Sequence, residues 1–259
     1  MSVERPVILC LSGHDPTGGA GIQADIEAIF SLDGRPCTVV TALTEQDTRD
    51  VYRVLPQDPA CFTAQAERVL ADLPVAVIKI GLLGSASIAR AVAALLRTHA
   101  ALPVVFDPVL AAGGGAELAS RELLHAVREE LLPLTSLLTP NSVEARRLAD
   151  RSDLDDCAAM LLQTGCRHVL ITGTHEDGAD VINRLHGQGS MSSYRWPRLP
   201  GSYHGSGCTL AAAIAALIGR GFSIEVAVER AQRYTWNALR AAEPRQAGQA
   251  LPDRRARPD

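Results

Sequence analysis

A chain of 259 residues, 47% hydrophobic and 21% charged, is long enough to bury a sizeable α/β core and has the balance of a soluble globular enzyme. A formal net charge of −4 and a pI near 6.0 argue against broad nucleic-acid or membrane-surface binding, since both reward a basic face, and aromatics at 4% disfavour a base-stacking platform. No stretch approaches the roughly 18 uninterrupted apolar residues of a membrane span, and the apolar run after Met1 is too short for a secretory signal. Six cysteines without CxxC spacing suggest neither zinc nor a disulfide framework, so a reducing cytoplasm is expected.

In chain order, short β-branched runs alternate with longer amphipathic ones. Val7–Leu11 reads as a buried strand, followed by a glycine-rich loop and a helix from Ala20 to Leu32. Cys37–Leu43 is the next strand, and Asp50–Leu55 a short extra one after the polar stretch Thr44–Thr48. Helix Ala60–Leu73 leads to strand Ala76–Ile80, and helix Ser85–His99 to strand Val104–Phe106. Helix Ser120–Leu131 precedes strand Leu137–Leu138, Asn141 opens another helix, and strand His168–Thr172 follows a helix ending near Gly165. Val181–Leu185 and Ser190–Trp196 read as an antiparallel pair on the sheet edge, and helices near Ser206–Arg220 and Ile224–Ala242 complete the pattern. Strands separated by helices imply a largely parallel sheet covered on both faces, a three-layer α/β fold.

Several strands run directly into polar or glycine motifs: Ser12-Gly-His-Asp15, Lys79-Ile-Gly81, Asp107-Pro108 and Thr139-Pro-Asn141. Open parallel sheets bind ligands beyond the carboxyl ends of their strands, so four such motifs on one edge mark a site. In Tyr203-His-Gly-Ser-Gly-Cys-Thr-Leu210, two glycines flank a serine ahead of an apolar helix. That sequence lets several N–H groups converge at a helix N-terminus, an arrangement that holds an anion, most often phosphate. Cys208 then stands where a catalytic group would meet the reacting atom; a plain glycine turn is the competing account. Gly18, Gly19 and Gly21 permit close backbone approach to a ligand ahead of the helix containing Asp25, and match neither the Walker pattern nor GxGxxG. There too a tight strand-to-helix turn is the plain alternative.

The runs SGHDPTGGAGIQAD, TALTEQDT, KIGLLGS, DPV, TPNSVEA and HGSGCTLAAAIAA occur in the order seen in hydroxymethylpyrimidine and phosphomethylpyrimidine kinases, which the chain resembles from about Val7 to Leu239. The resemblance implies a ribokinase-like three-layer αβα fold, with 1–242 as a single kinase domain. It implies ATP- and Mg²⁺-dependent phosphorylation of 4-amino-5-hydroxymethyl-2-methylpyrimidine, and then of its monophosphate, in thiamine biosynthesis. By the same resemblance Asp25, Gly19, Ala20 and Gly21 lie against a small pyrimidine, and Gln46 recognises the ring. An amide suits that role because it offers both donor and acceptor. Thr44 is expected beside the ring through its backbone, and Leu82, where the family often has methionine, gives apolar contact.

Cys208 takes the position where ribokinase-like sugar kinases use an aspartate base. A thiol at a helix N-terminus is expected to ionise readily and to accept the hydroxymethyl proton; the alternative is that it chiefly shapes the site. The N–H groups of Gly205, Ser206, Gly207 and Cys208 are expected to stabilise the transferring phosphoryl oxygens. Asp107 and Glu144 are the expected carboxylates near Mg²⁺, with Asn141 and Lys79 toward the nucleotide phosphates. Asn141 and Glu144 also read as a capping box, and Lys79 equally as an ion-pair partner.

One departure concerns the run Thr172-Gly-Thr-His175, which stands where many relatives carry a phosphate-contacting lysine; Thr172 and Gly173 then mark the nucleotide side, with His175, Arg195 and Arg198 as replacement cations. Pyridoxal kinase-like activity and a weakly catalytic pyrimidine-binding sensor are the alternative functions. Relatives are commonly dimers, and Asp50–Leu55 is the expected interface segment. The Arg-, Pro- and Gln-rich residues 243–259 are expected to form a flexible tail.

Overall fold

The computed structural model describes residues 5–111, 115, 118–187, 189–243 and 247–255. Its sheet has nine strands: β1 (Val7–His14), β2 (Arg35–Gln46), β3 (Val51–Pro56), β4 (Val75–Ile80), β5 (Val104–Phe106), β6 (Leu137–Leu138), β7 (His168–Ile171), β8 (Asp180–Gly187) and β9 (Ser190–Pro197). Their spatial order is β3-β2-β1-β4-β5-β6-β7-β8-β9. Strands β2, β1, β4, β5, β6 and β7 run parallel. The edges are antiparallel: β3 folds back on β2, while β8 and β9 form the expected pair at the other side.

The helices are α1 (Gly21–Ser31), α2 (Pro59–Asp72), α3 (Ala86–Thr98), α4 (Arg121–Ala126), α5 (Ser142–Ala149), α6 (Leu154–Gln163), α7 (Ser206–Gly219) and α8 (Ile224–Arg240). Alternation along the central strands divides the core. Leu9, Leu11, Ile78 and Ile80 face α2 to α6, whereas Ile8, Cys10, Val77 and Val105 face α1, α7 and α8. That is the three-layer arrangement the sequence implied. No described helix is long and apolar enough to cross a membrane.

The elements differ locally from expectation in two places. The stretch expected as one helix through Leu131 leaves α-geometry after Ala126 for a π turn over Val127–Leu131. The segment between Asn141 and Gly165 breaks into α5 and α6 at Asp150, which takes a left-handed conformation (φ 53°), and Asp153 caps the next helix.

The strand order reverses direction between β1 and β4, the switch point where an open sheet leaves a crevice. Three segments meet there: the loop after β1, the loop after β4, and the N-terminus of α7, which packs on β1, β4 and β5. Residues 247–255 also reach this end of the molecule. Composition pointed to a loose tail, yet Ala250 exchanges backbone hydrogen bonds with Ser202 and His204, and Gln249 bonds to Thr48.

Candidate active site

Six α-helices are closed at their N-termini by a side chain: Asp58, Ser85, Ser120, Asn141, Asp153 and Ser223 each accept a backbone N–H of the helix they precede. Two are not. Helix α1 follows Ala20 and α7 follows Gly205, and neither residue supplies a side-chain cap. Both open ends lie at the switch point. Helix α7 therefore presents the N–H groups of its first turn, at Ser206, Gly207 and Cys208, and the positive end of its dipole. Gly205 makes this possible: its φ of +74° is left-handed, and a Cβ there would run into the Gly19 carbonyl.

Asp107, just beyond β5, faces this turn; a Cβ on Gly207 would stand 3.6 and 3.7 Å from its two carboxylate oxygens. Its Oδ2 is buried without a hydrogen-bond partner among the described residues. Burial raises the Asp107 pKa to about 6 against the pull of Lys79, with Asp25 adding to the rise. Glu144 accepts from the N–H groups of Asn141 (2.9 Å) and Leu110 (3.3 Å), and burial together with the Asp107 charge raises it to about 8. Two carboxyls crowded this way favour a cation beside them. A pH dependence follows. Because the folded pKa of Asp107 is raised, its contribution to stability is present below the unfolded value of 3.8 and is lost as pH climbs through about 6. Asp107→Asn is expected to match the parent near pH 4 and exceed it by on the order of 2 kcal/mol above pH 6. Denaturation midpoints across that range check this, and a gap independent of pH contradicts it.

Cys208 differs from its expected chemistry. The thiol was expected to ionise readily at a helix N-terminus; instead burial, then the Asp107 charge, pushes it up to about 12, despite Lys79 and a hydrogen bond from the Gly21 N–H. The nearby thiol in turn lowers the Asp107 carboxyl, offsetting part of the rise caused by burial. The dipole of α7 is outweighed by loss of water and by a neighbouring negative charge.

Asp25 also sits elsewhere than expected. It was to lie against the substrate, and of the two readings of Lys79 the ion pair holds rather than the nucleotide contact: both side chains are 0% exposed and pair at 2.8 Å. Ser12 Oγ donates to Asp25 Oδ2 (2.7 Å), and Lys79 Nζ donates to Ser12 Oγ (3.1 Å). Burial disfavours the ammonium, but Asp25 more than compensates and holds it charged. This pair is a keystone under the loops rather than their surface.

On the β2 side, Gln46 Nε2 donates to Thr44 Oγ1 (2.5 Å), which donates to the His14 carbonyl (2.8 Å) at the end of β1. Leu82, in the loop after β4, packs against Gly13. Gln46, Thr44 and Leu82 thus gather on the His14 and Gly13 end of β1, and the loop that follows, Gly19-Ala20, meets Gly205 at the start of α7. The loop arrives preorganised. Asp15 accepts from the N–H groups of Thr17 (2.8 Å) and Ala20 (2.7 Å), and its Oδ2 lies 2.9 Å from His204 Nε2. Burial would raise the Asp15 pKa, but the bonds from His204 and Thr17 lower it to about 2, so the carboxylate accepts and the imidazole Nε2–H donates. Asp15 and His204 join the glycine loop to the α7 turn, and both lay unassigned inside motifs the sequence had singled out.

The nucleotide-side candidates cluster at the ends of β6 and β7. Thr172 is bridged to Asn141 through backbone bonds with Pro140 and Ser142. The Gly173 N–H is taken by Asn183 Oδ1 at 3.0 Å. Asn141 and Glu144 form the capping box of α5. Neither arginine replaces the missing lysine: Arg198 spends its guanidinium on the carbonyls of Thr174, Glu176 and Gly178, and Arg195 pairs with Asp180. Arg254, which no local motif marks, reaches the glycine loop and donates to the Gly19 carbonyl.

A family model described as phosphomethylpyrimidine kinase matches residues 15–252. The chain is 39% identical over 246 residues to a thiamine biosynthesis bifunctional protein of Geobacter sulfurreducens, covering 93% of this chain and 50% of that protein's length. It is 35% identical over 256 residues to the hydroxymethylpyrimidine/phosphomethylpyrimidine kinase of Escherichia coli, covering 96% of each. Its fold matches the pyridoxal kinase of Staphylococcus aureus solved in complex with AMP-PCP and pyridoxal, with a TM-score of 0.88, 25% identity, and coverage of 98% of this chain and 95% of that one. With its ribokinase-like fold and the motif order TGGAGIQAD to HGSGCT placed around one crevice, this chain belongs to the phosphomethylpyrimidine kinase family.

Proposed function

We propose that the chain transfers the terminal phosphoryl group of ATP to the hydroxymethyl group of 4-amino-5-hydroxymethyl-2-methylpyrimidine, then phosphorylates that monophosphate to the diphosphate for thiamine biosynthesis. One observation carries the reading: the uncapped first turn of α7 lies between Asp107 on one side and the Gly19-Ala20 loop on the other. Thr44 orients the Gln46 amide, whose second N–H and carbonyl oxygen suit the ring nitrogen and amino group of an aminopyrimidine. The Ser206, Gly207 and Cys208 amides would hold the transferring phosphoryl oxygens, usually the larger catalytic contribution.

Asp107 and Glu144 fit a magnesium ion. Two crowded carboxyls, one with an orphaned oxygen, favour a cation, and Mg²⁺ needs only one or two protein carboxylates because it keeps waters and phosphate oxygens. When bound it supplies neutralisation of the nucleotide phosphates. On the side of proton transfer, a neutral thiol need not ionise first. As Cys208 Sγ takes the proton leaving the hydroxymethyl oxygen, its own S–H proton passes to the Asp107 carboxylate, and a loose transition state asks little of a base. Cys208→Ser keeps that path and is expected to lose about tenfold in kcat, against about 100-fold or more for Cys208→Ala. Equal collapse of both variants would assign the sulfur to packing instead.

The assignment is tested by pyrimidine-dependent ADP release with each of the two pyrimidines; no release with either under Mg²⁺ removes it. Likeness to the Staphylococcus aureus enzyme solved with pyridoxal supports a second reading, pyridoxal kinase-like activity, and kcat/KM for the two substrates separates them. The occupied Gly173 N–H and the absent lysine support a weakly catalytic sensor, which calorimetry would reveal as pyrimidine binding without turnover. A second copy is proposed to pack on β3, where Tyr52 is 64% exposed on the sheet edge, and light scattering tests that pairing. Six free cysteines suit action in a reducing cytoplasm.

A further inference from the structure

Residues 247–255 touch the glycine loop after β1, the residues past Gln46 and the approach to α7. Gln249 N–H donates to the Thr48 carbonyl (2.8 Å), two residues past Gln46, and Ala250 bonds with Ser202 and His204 (2.9 Å each) on the approach to α7. Leu251 packs against Gly19. The strap is anchored behind by the Asp253 N–H on Ala238 (3.0 Å) and by the buried Tyr234 hydroxyl on the Arg254 carbonyl (2.7 Å).

Arg254 is 3% exposed, and its fork is divided between the two loops that meet at the crevice. One terminal nitrogen donates to the Gly19 carbonyl, the other to the Gly18 carbonyl (3.5 Å) and Glu27 (2.9 Å). Nε donates to Thr209 Oγ1 (2.8 Å), and that hydroxyl donates to the Gly205 carbonyl (2.8 Å). The guanidinium therefore spans the place where Gly19 and Gly205 cross. Those glycines hold the acceptor loop on one side and the open amides of α7 on the other.

We propose that Arg254 is a positioning residue for phosphoryl transfer: it fixes the distance between the glycine loop and the first turn of α7. The proposal rests on the reading above, that the hydroxymethyl group and the transferred phosphoryl lie between those two loops. A planar fork with donors in three directions suits this span, whereas an ammonium offers a single point charge. Misplacement of reacting groups by about 1 Å costs on the order of 100-fold in rate.

The test measures kcat, the KM for ATP and for the pyrimidine, the melting temperature, and amide exchange at residues 18–20 and 205–209 in the parent, Arg254→Ala and Arg254→Lys. In Arg254→Ala, kcat is expected to fall about 100-fold with the KM for ATP within about threefold of the parent. Arg254→Lys should fall nearly as far. Methylguanidine added to Arg254→Ala should restore kcat at least tenfold at a temperature where circular dichroism shows it folded, and amide exchange at both loops should quicken. A folded Arg254→Ala with parental kcat and unchanged exchange overturns the proposal, and so does lost activity that tracks unfolding with no response to methylguanidine. Should Arg254→Ala not fold, Arg254→Lys decides by the same readouts. A parent inactive on both pyrimidines would instead refute the kinase assignment, while the exchange measurement still judges whether Arg254 joins the loops.

Discussion

Alanine at Gly205 and alanine at Gly207, two residues apart, are expected to fail in different ways. At Gly205 the left-handed backbone alone costs a side chain about 1–2 kcal/mol, and the new methyl has nowhere to go but into the Gly19 carbonyl. The two loops must part, so Gly205→Ala is expected to lose both stability and at least about 1,000-fold in kcat, since the amides no longer converge. At Gly207 the methyl meets only the Asp107 oxygens at 3.6 and 3.7 Å, an ordinary contact, on a helical backbone. Gly207→Ala is therefore expected to melt at or slightly above the parental temperature, because alanine is favoured over glycine in a helix by up to about 1 kcal/mol. Its kcat should nonetheless fall about 100-fold, as the methyl occupies the face over Asp107 proposed for the transferred group. Calorimetry beside steady-state kinetics separates the two. Full activity in Gly207→Ala would place the phosphoryl group somewhere other than this turn.

Lys79→Met is expected to be the most damaging single change to stability. It strands the Asp25 carboxylate with no water and no counter-ion, a loss of about 3–5 kcal/mol against a typical total of about 5–15. For a chain of this size that lowers the melting temperature by roughly 10 °C or more. Combining Lys79→Met with Asp25→Leu removes both charges and should recover much of the deficit, giving a coupling energy that a double-mutant cycle reads directly. A phosphate-binding lysine would behave differently: the KM for ATP would rise while stability held, and the double variant would recover nothing. The two outcomes do not overlap.

The order of elements was legible because neighbours along the chain encode it. Buried runs such as Val7–Leu11 and Ala76–Ile80 lie within a residue or a few of β1 and β4, and the antiparallel edge pair was visible as alternation in Val181–Leu185 and Ser190–Trp196. The crevice was legible too, since motifs at strand ends must gather on one edge of a parallel sheet. Charge partners were not. Asp25 looked like a ligand contact from its own motif and Lys79 like either a phosphate contact or an ion-pair partner, and only their meeting across 54 residues shows that each neutralises the other. Cys208 was misjudged for the same reason: its helix terminus is local, but Asp107 and the loss of water around the sulfur are not. Residues 243–259 have the composition of a loose tail, and composition says nothing of a crevice able to accept one arginine; the described part, 247–255, is docked.

From its amino acids alone this protein has an alternating β/α order, two open glycine turns and a family kinship, because backbone preference and apolar periodicity act over a few residues. The tertiary structure decided which charges are spent inside and which face the crevice. His204 meets Asp15 from 189 residues away, and Arg254 meets Gly19 from 235. Such separations carry no local signal: hydrogen bonds and ion pairs depend on distance in space, and strand order sets that distance.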